Sequence, residues 1–174
     1  MALTGKNRIT ISGPETRMPN HTRLRSKSPL PGSTALLREV QDWLGPDRLP
    51  LLIAIDGADG VGKSSLASWL AWQLGAPAIH LDLYLVRASD PLRWRSDELR
   101  RVVNTRLVEH ARPLIVEGIL VLDALGKIRR KPDYLVYVDG EGGHSLSTRL
   151  ADYRAQHKPE QLAQFRLQGF AETE

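Results

Sequence analysis

No cysteine occurs among the 174 residues, which removes disulfides, thiolate-held zinc and cysteine nucleophiles together. A reducing, cytoplasmic setting is compatible with that lack. Also missing is any apolar run near the roughly 18 residues needed to span a bilayer, so no membrane partner is expected. There is no internal repeat, and the five histidines show no ligand spacing, so no zinc site is proposed. What is present is ordinary for one globular domain: 41% hydrophobic and 25% charged residues, a balance that argues against wholesale disorder and against a coiled coil.

The net charge of +4 is unevenly spread. From residue 1 to 31, six basic residues against Glu15 alone leave +5, while the remaining chain, with 18 basic and 19 acidic residues, carries −1. Basicity is therefore a property of the first segment, and nucleic acid is expected as a partner only through it. Residues 1–32 hold four prolines and no sustained apolar period, and they read as a flexible basic tail before a domain at 33–174.

Apolar periodicity outlines that domain. Ser33 caps a predicted helix to Leu44, and Leu49–Ile55 is an apolar run of the kind that forms a parallel strand covered on both faces. A helix follows over Ser64–Leu74, a strand over Ala78–Leu85, and a helix over Ser96–Ala111 with Ser96 as cap. Strands at Pro113–Leu120 and Asp133–Val138, a helix from about Ser145 to Gln156, and a weaker helix after Pro159 complete the series. Alternating strands and helices imply right-handed crossovers and an α/β three-layer sandwich, a parallel sheet of four strands with a fifth left open and helices on both faces.

Between the first strand and its helix lies Gly57-Ala58-Asp59-Gly60-Val61-Gly62-Lys63-Ser64, a full match to G-x-x-x-x-G-K-[ST]. On average residue usage, about one chain per hundred of this length would match by chance, and the strand–loop–helix context lowers that further. The chemistry explains the pattern. Glycines let successive backbone N–H groups point inward at a polyphosphate, and the helix start adds its positive dipole end. Lys63 is placed to reach the β- and γ-phosphates, Ser64 to ligate Mg²⁺, and Ser65 to hold the α-phosphate. Asp59 would oppose a phosphate directly, so it is expected to point away or toward an acceptor.

Phosphoryl transfer also needs a group to deprotonate the acceptor and further control of charge around the metal. Such groups project from the carboxyl ends of strands in an open sheet. Asp82, in Leu81-Asp82-Leu83-Tyr84, and Glu117, at the end of Leu114-Ile115-Val116, both qualify. Arg93, Trp94 and Arg95 form a basic and aromatic group after the second strand, suited to an anionic or planar acceptor.

These segments together resemble the uridine kinase branch of the P-loop kinases, a group that also contains phosphoribulokinase and pantothenate kinase. The resemblance rests on the loop at 57–64, on Asp82-Leu83-Tyr84 and on Pro113-Leu114-Ile115-Val116-Glu117-Gly118-Ile119-Leu120, and it spans roughly residues 50–155. It implies a five-stranded parallel core, ATP with Mg²⁺, Asp82 as catalytic base, Glu117 near the metal, and Tyr84 helping to hold the acceptor. Arg149 and Arg154 are the corresponding lid candidates. The chain departs from that group in having Leu81 and Leu83 around the base where an acid and an aromatic are usual. The expected function is transfer of the ATP γ-phosphoryl to a hydroxyl of a nucleoside or other small metabolite. The alternative is a nucleotide-binding regulatory or interaction protein that keeps the loop without small-molecule transfer.

Overall fold

The computed structural model describes residues 27–89, 91–140 and 147–170. Most of the basic tail, and the predicted helix start at Ser145, lie outside the described residues. In chain order the elements are α1 (Ser33–Leu44), β1 (Leu52–Gly57), α2 (Lys63–Leu74), β2 (Ala78–His80), α3 (Ser96–Asn104), β3 (Leu114–Glu117), α4 (Val121–Lys127), β4 (Tyr134–Asp139), α5 (Ser147–His157), α6 (Pro159–Leu162) and β5 (Phe165–Gln168). The five strands form one parallel sheet in the order β2-β3-β1-β4-β5. Among the described residues no helix is long and apolar enough to cross a membrane.

Period-two alternation along the central strands generates the layers. Ile53, Ile55, Ile115, Val136 and Val138 pack with α1 and α2 residues such as Leu36, Leu66 and Leu70. Leu52, Ala54, Leu114, Val116 and Leu135 pack on the other face with Leu99 and Val103 of α3, Leu125 of α4 and Tyr153 of α5. Every residue of β1 is buried, as a central parallel strand covered by helices requires. The three-layer α/β sandwich expected from the sequence is the observed one, and the strand left open is β5.

Several boundaries differ from the sequence reading for local reasons. The second strand stops at His80, and Leu81–Tyr84 wind into a 3₁₀ turn. The third stops at Glu117. Leu120 adopts a left-handed conformation (φ 54°) and starts α4, whose buried Val121, Ala124 and Leu125 have helical spacing inside what reads as a continuing apolar run. The predicted 96–111 helix is α only to Asn104 and then widens into a π turn over Thr105–Glu109.

Neither predicted serine cap holds. Gly32 (φ 83°) precedes α1, and the fully buried Ser33 hydroxyl instead bonds back to Leu30, donating to its carbonyl at 2.8 Å and accepting from its N–H at 3.2 Å. Arg95 precedes α3, and the Ser96 hydroxyl donates to the Trp94 carbonyl at 3.3 Å.

Leu30, inside the segment that composition assigns to the tail, is only 2% exposed and belongs to the α1–α2 core. A Cβ at Gly62 would come within 3.2 Å of its side chain, so Leu30 packs directly behind the Gly57–Ser64 loop. Leu30→Ala is expected to cost about 2–5 kcal/mol, the range for emptying a buried leucine site. Urea unfolding of the variant beside wild type measures it, and a change within about 0.5 kcal/mol, typical of a surface position, would contradict the packing.

Candidate active site

The sheet order puts a reversal of winding at β1, because the chain runs from β1 to β2, returns to β3 beside β1, and then crosses to β4. The crevice at the carboxyl ends of such strands is where open α/β sheets hold ligands. A cleft of about 420 Å³ opens there, lined by Gly60, Lys63 and Ser64 from the loop, Glu117 from β3, and Asp82 from the turn after β2.

All three loop glycines have positive φ, and at two of them a side chain would also have no room. Gly57 has φ 143°, and a Cβ there would lie 2.4 Å from the Val138 carbonyl oxygen of the adjoining strand. Gly62 has φ 98°, and a Cβ would lie 2.7 Å from the Phe170 ring. Side chains at either position would meet backbone or a packed ring in a conformation that L-residues avoid. Gly60, Gly62, Lys63, Ser64, Ser65 and Asp59 all face the cleft. Of the remaining loop residues, Gly57, Ala58 and Val61 are buried and support the wall from behind. Asp59 is exposed, and its Oδ1 accepts the Gly60 N–H at 2.9 Å.

Facing of the strands decides which acid meets which helix. Glu117 follows the α2-side residue Ile115 by two, and its Oε1 accepts from the Ser64 hydroxyl at 2.9 Å and from His80 Nδ1 at 2.6 Å. His80 is paired with Glu117 in the β2–β3 register. Asp56 follows Ala54 by two and faces the opposite layer, where Tyr153 of α5 donates its hydroxyl to Oδ2 and the Gly57 N–H donates to Oδ1 at 2.8 Å. The same Tyr153 oxygen accepts the Leu122 N–H at 3.1 Å. Lys63 Nζ donates to the Ala58 carbonyl beneath the loop.

Asp56, Lys63 and Glu117 are, with Ser33, the buried polar residues among those described. Burial pushes the Asp56 carboxyl up to about 6, against the opposing pull of Tyr153, Gly57 and Lys63. Burial also pulls the Lys63 ammonium below its ordinary range, while Glu117, Asp56, Asp59 and Asp82 act the other way. Desolvation drives Tyr153 upward, reinforced by the Asp56 charge. Perturbed, buried charge in a crevice is a signature of functional sites.

The remaining sequence candidates fall elsewhere. Asp82 is exposed in the wall that the cleft shares with a second cavity of about 920 Å³, and Leu85 lies in the same wall. Tyr84 and Arg93 are not among the residues lining either cavity. Tyr84 is half-buried beneath the Arg95 guanidinium, 5.8 Å from its ring centre. Trp94 is buried in the core, so it has no face to stack on an acceptor. Arg149 reaches the Leu92 carbonyl at 3.1 Å, and Arg154 bonds the Tyr137 hydroxyl at 2.7 Å and pairs with Glu160 at 3.1 Å. Neither of these two arginines lines the loop cleft.

Two residues of the site escape the sequence reading. Asp56 carries the same signal as Glu117, an acid ending an apolar strand, but the loop beginning at Gly57 masks it. Tyr153 has no local signal, since its role depends on α5 crossing β1.

No protein-family model and no curated protein matches the chain. Among solved structures it is similar to "Structure of a Possible Uridine Kinase from Bacillus stearothermophilus", with a TM-score of 0.56 and 16% identity over 78% of this chain and 96% of that one. It is less similar to a shikimate kinase from Bacteroides thetaiotaomicron, with a TM-score of 0.38 and 19% identity over 68% and 86% of the two chains. A gluconokinase from Sinorhizobium meliloti gives a TM-score of 0.42 and 21% identity over 63% and 66%. Of these three, the first alone is similar enough to speak to the fold. With the parallel five-stranded sheet, it shows the α/β fold of a P-loop kinase.

The raised Asp56 value has a consequence for stability. An acid whose folded value lies above its unfolded one contributes stability below about 4 that is lost as pH rises through about 6. The loss is on the order of 3 kcal/mol for a shift of this size. Asp56→Asn is therefore expected to gain on wild type by about that amount between pH 4 and pH 7 in urea unfolding. A stability difference that does not move with pH would contradict it.

Proposed function

We propose that the protein is an ATP-dependent small-molecule kinase, transferring the γ-phosphoryl group to a hydroxyl of a nucleoside or another small metabolite. The observation that carries this reading is the convergence of Lys63, Ser64, Glu117 and Asp82 on one cleft from three separate segments of the chain. A loop that only bound nucleotide would need neither an exposed carboxylate beside the phosphate site nor a cavity continuing past it.

The residues divide the work by their chemistry. Backbone N–H groups of the loop and the first turn of α2 orient the phosphates, and Lys63 offsets charge as it develops on the transferring group. The cleft presents Asp59, Asp82 and Glu117 against Lys63, a balance that repels a triphosphate unless a cation accompanies it. Ser64 Oγ and Glu117 Oε1, 2.9 Å apart, form a hard-oxygen pair suited to Mg²⁺, which takes one or two protein oxygens and keeps waters and phosphate oxygens for the rest. When bound, Mg²⁺ supplies charge neutralisation at the β- and γ-phosphates. The His80 contact holds Glu117 toward Ser64. Asp82 accepts the proton of the acceptor hydroxyl as its oxygen bonds to the γ-phosphorus and the bond to ADP breaks.

Asp82→Asn is expected to retain ATP binding and to lose about 10²–10⁴ in turnover, the usual contribution of a general base. Lys63→Ala is expected to weaken triphosphate binding or abolish transfer. The check is an acceptor screen with ATP and Mg²⁺, covering nucleosides, sugars, pantothenate-like alcohols and vitamin precursors, alongside ATP titrations. Full turnover by Asp82→Asn would remove the assigned base. Acceptor-independent behaviour across the whole panel, with ATP bound, would favour the regulatory alternative.

A further inference from the structure

The second cavity carries information about the acceptor, on the kinase reading of the adjoining cleft. It meets that cleft at Asp82 and Leu85, so a molecule seated in it would present one end to the reacting carboxylate. Among the described residues its wall holds two guanidinium groups, Arg87 and Arg95, against the single carboxylate Asp82, with Leu83, Val86 and Leu92 supplying apolar surface.

The two arginines are in different states. Arg95 is committed: it donates to the Leu83 carbonyl, pairs with Glu98 at 2.8 Å, and lies over the Tyr84 ring. Its charge is largely answered from within the protein. Arg87 is exposed, and among the described residues no ion pair or side-chain hydrogen bond involves it.

Arg87 also sits on a fixed support. Leu85 and Trp94 form an antiparallel bridge, with Val86 N–H donating to the Arg93 carbonyl at 2.9 Å and Arg95 N–H to the Tyr84 carbonyl at 2.8 Å. The Ser89 hydroxyl closes the turn, donating to the Val86 carbonyl at 2.9 Å and accepting the Arg93 N–H at 3.1 Å. Arg149 of α5 braces the hairpin by donating to the Leu92 carbonyl at 3.1 Å. Of the two guanidinium groups in the wall, the one with no partner among the described residues is thus presented by a braced hairpin.

We infer that the acceptor is an anionic hydroxy compound, whose carboxylate or phosphate is read by Arg87, whose stem lies on Leu83, Val86 and Leu92, and whose hydroxyl reaches Asp82. A planar guanidinium recognises carboxylate and phosphate oxygens in the same two-pronged way, and such charge-assisted bonds are about twice as strong as neutral ones. An acceptor lacking the charge would leave Arg87 to water and forgo that contact. The sequence reading offers Arg93, Trp94 and Arg95 together for this role; the structure leaves Arg93 out of the cavity wall, buries Trp94 in the core, engages Arg95 within the protein and adds Arg87 to the wall.

The test titrates the full chain calorimetrically with matched pairs that differ in charge: glycerate against glyceramide, pantothenate against pantothenol, and glycerol 3-phosphate against glycerol. The first two pairs report a carboxylate and the third a phosphate. In at least one pair the anionic member is expected to bind about tenfold more tightly than its neutral partner, one charge-assisted contact's worth of discrimination. Arg87→Ala should abolish that preference and Arg87→Lys should restore part of it. Arg93→Ala, which removes the same charge outside the cavity wall, should keep it.

Equal or tighter binding of the neutral members, no binding by any pair, or a preference unchanged in Arg87→Ala would overturn the inference. Each titration is run with and without Mg²⁺ and a non-hydrolysable ATP analogue. Failure of the analogue to bind would count against the kinase reading alone, while charge discrimination and its loss in Arg87→Ala still decide whether the second cavity takes an anionic ligand.

Discussion

Burying charge is the constraint on which the rest of this structure depends. Asp56 precedes the Gly57–Ser64 loop, Lys63 lies near its end, Glu117 ends the neighbouring strand, and all three are withdrawn from water. Desolvation of an unpaired ion costs several kcal/mol, so each must be answered by a partner placed to fit it. Asp56 is answered by Tyr153 and the Gly57 N–H, Glu117 by Ser64 and His80, and Lys63 by the Ala58 carbonyl and the surrounding carboxylates. Those partners come from α5, β1, α2, β2 and the loop itself. Correct assembly of the layers and satisfaction of the site are therefore one requirement.

The same contacts tie the site to its surroundings. Tyr153 bonds both Asp56 and the Leu122 N–H, linking α5 to the end of β1 and to the start of α4. Arg149, four residues earlier on α5, reaches across to the hairpin that walls the second cavity. On the opposite side, Phe170 follows β5 and covers Gly62, with its N–H donating to the Val61 carbonyl at 3.2 Å. The strand entering the loop is thereby tied to α5 and the loop itself to Phe170, and the buried Leu30 packs behind it.

Local chemistry is legible in the sequence where one segment contains all that it needs. The Gly57–Ser64 loop is read from eight adjacent residues because its glycines, lysine and serine are consecutive and directly follow the strand. The central strands are read from apolar runs because both of their faces are buried. β5 is harder to read, since of Phe165–Gln168 only Leu167 is fully buried, as suits an edge strand. α4 hides in an apolar run whose break is a left-handed Leu120 rather than a glycine or proline at that position. Arg149 and Arg154, the lid candidates of the sequence, and Tyr84 illustrate the limit most clearly. Their sequence positions are compatible with several partners, and tertiary packing assigns Arg149 to Leu92, Arg154 to Tyr137 and Glu160, and Tyr84 to Arg95.

On the proposed function, the cleft at the ends of β1 and β3 receives a triphosphate with its metal. The most direct test is a crystal structure of the full chain with Mg²⁺ and a non-hydrolysable ATP analogue. The β- and γ-phosphates are expected within hydrogen-bonding distance of the loop N–H groups and Lys63, with the metal between Ser64 and the phosphates on the Glu117 side. Density for the analogue in the separate basic cavity lined by Arg129, Arg130 and Lys131, with the loop left empty, would contradict it.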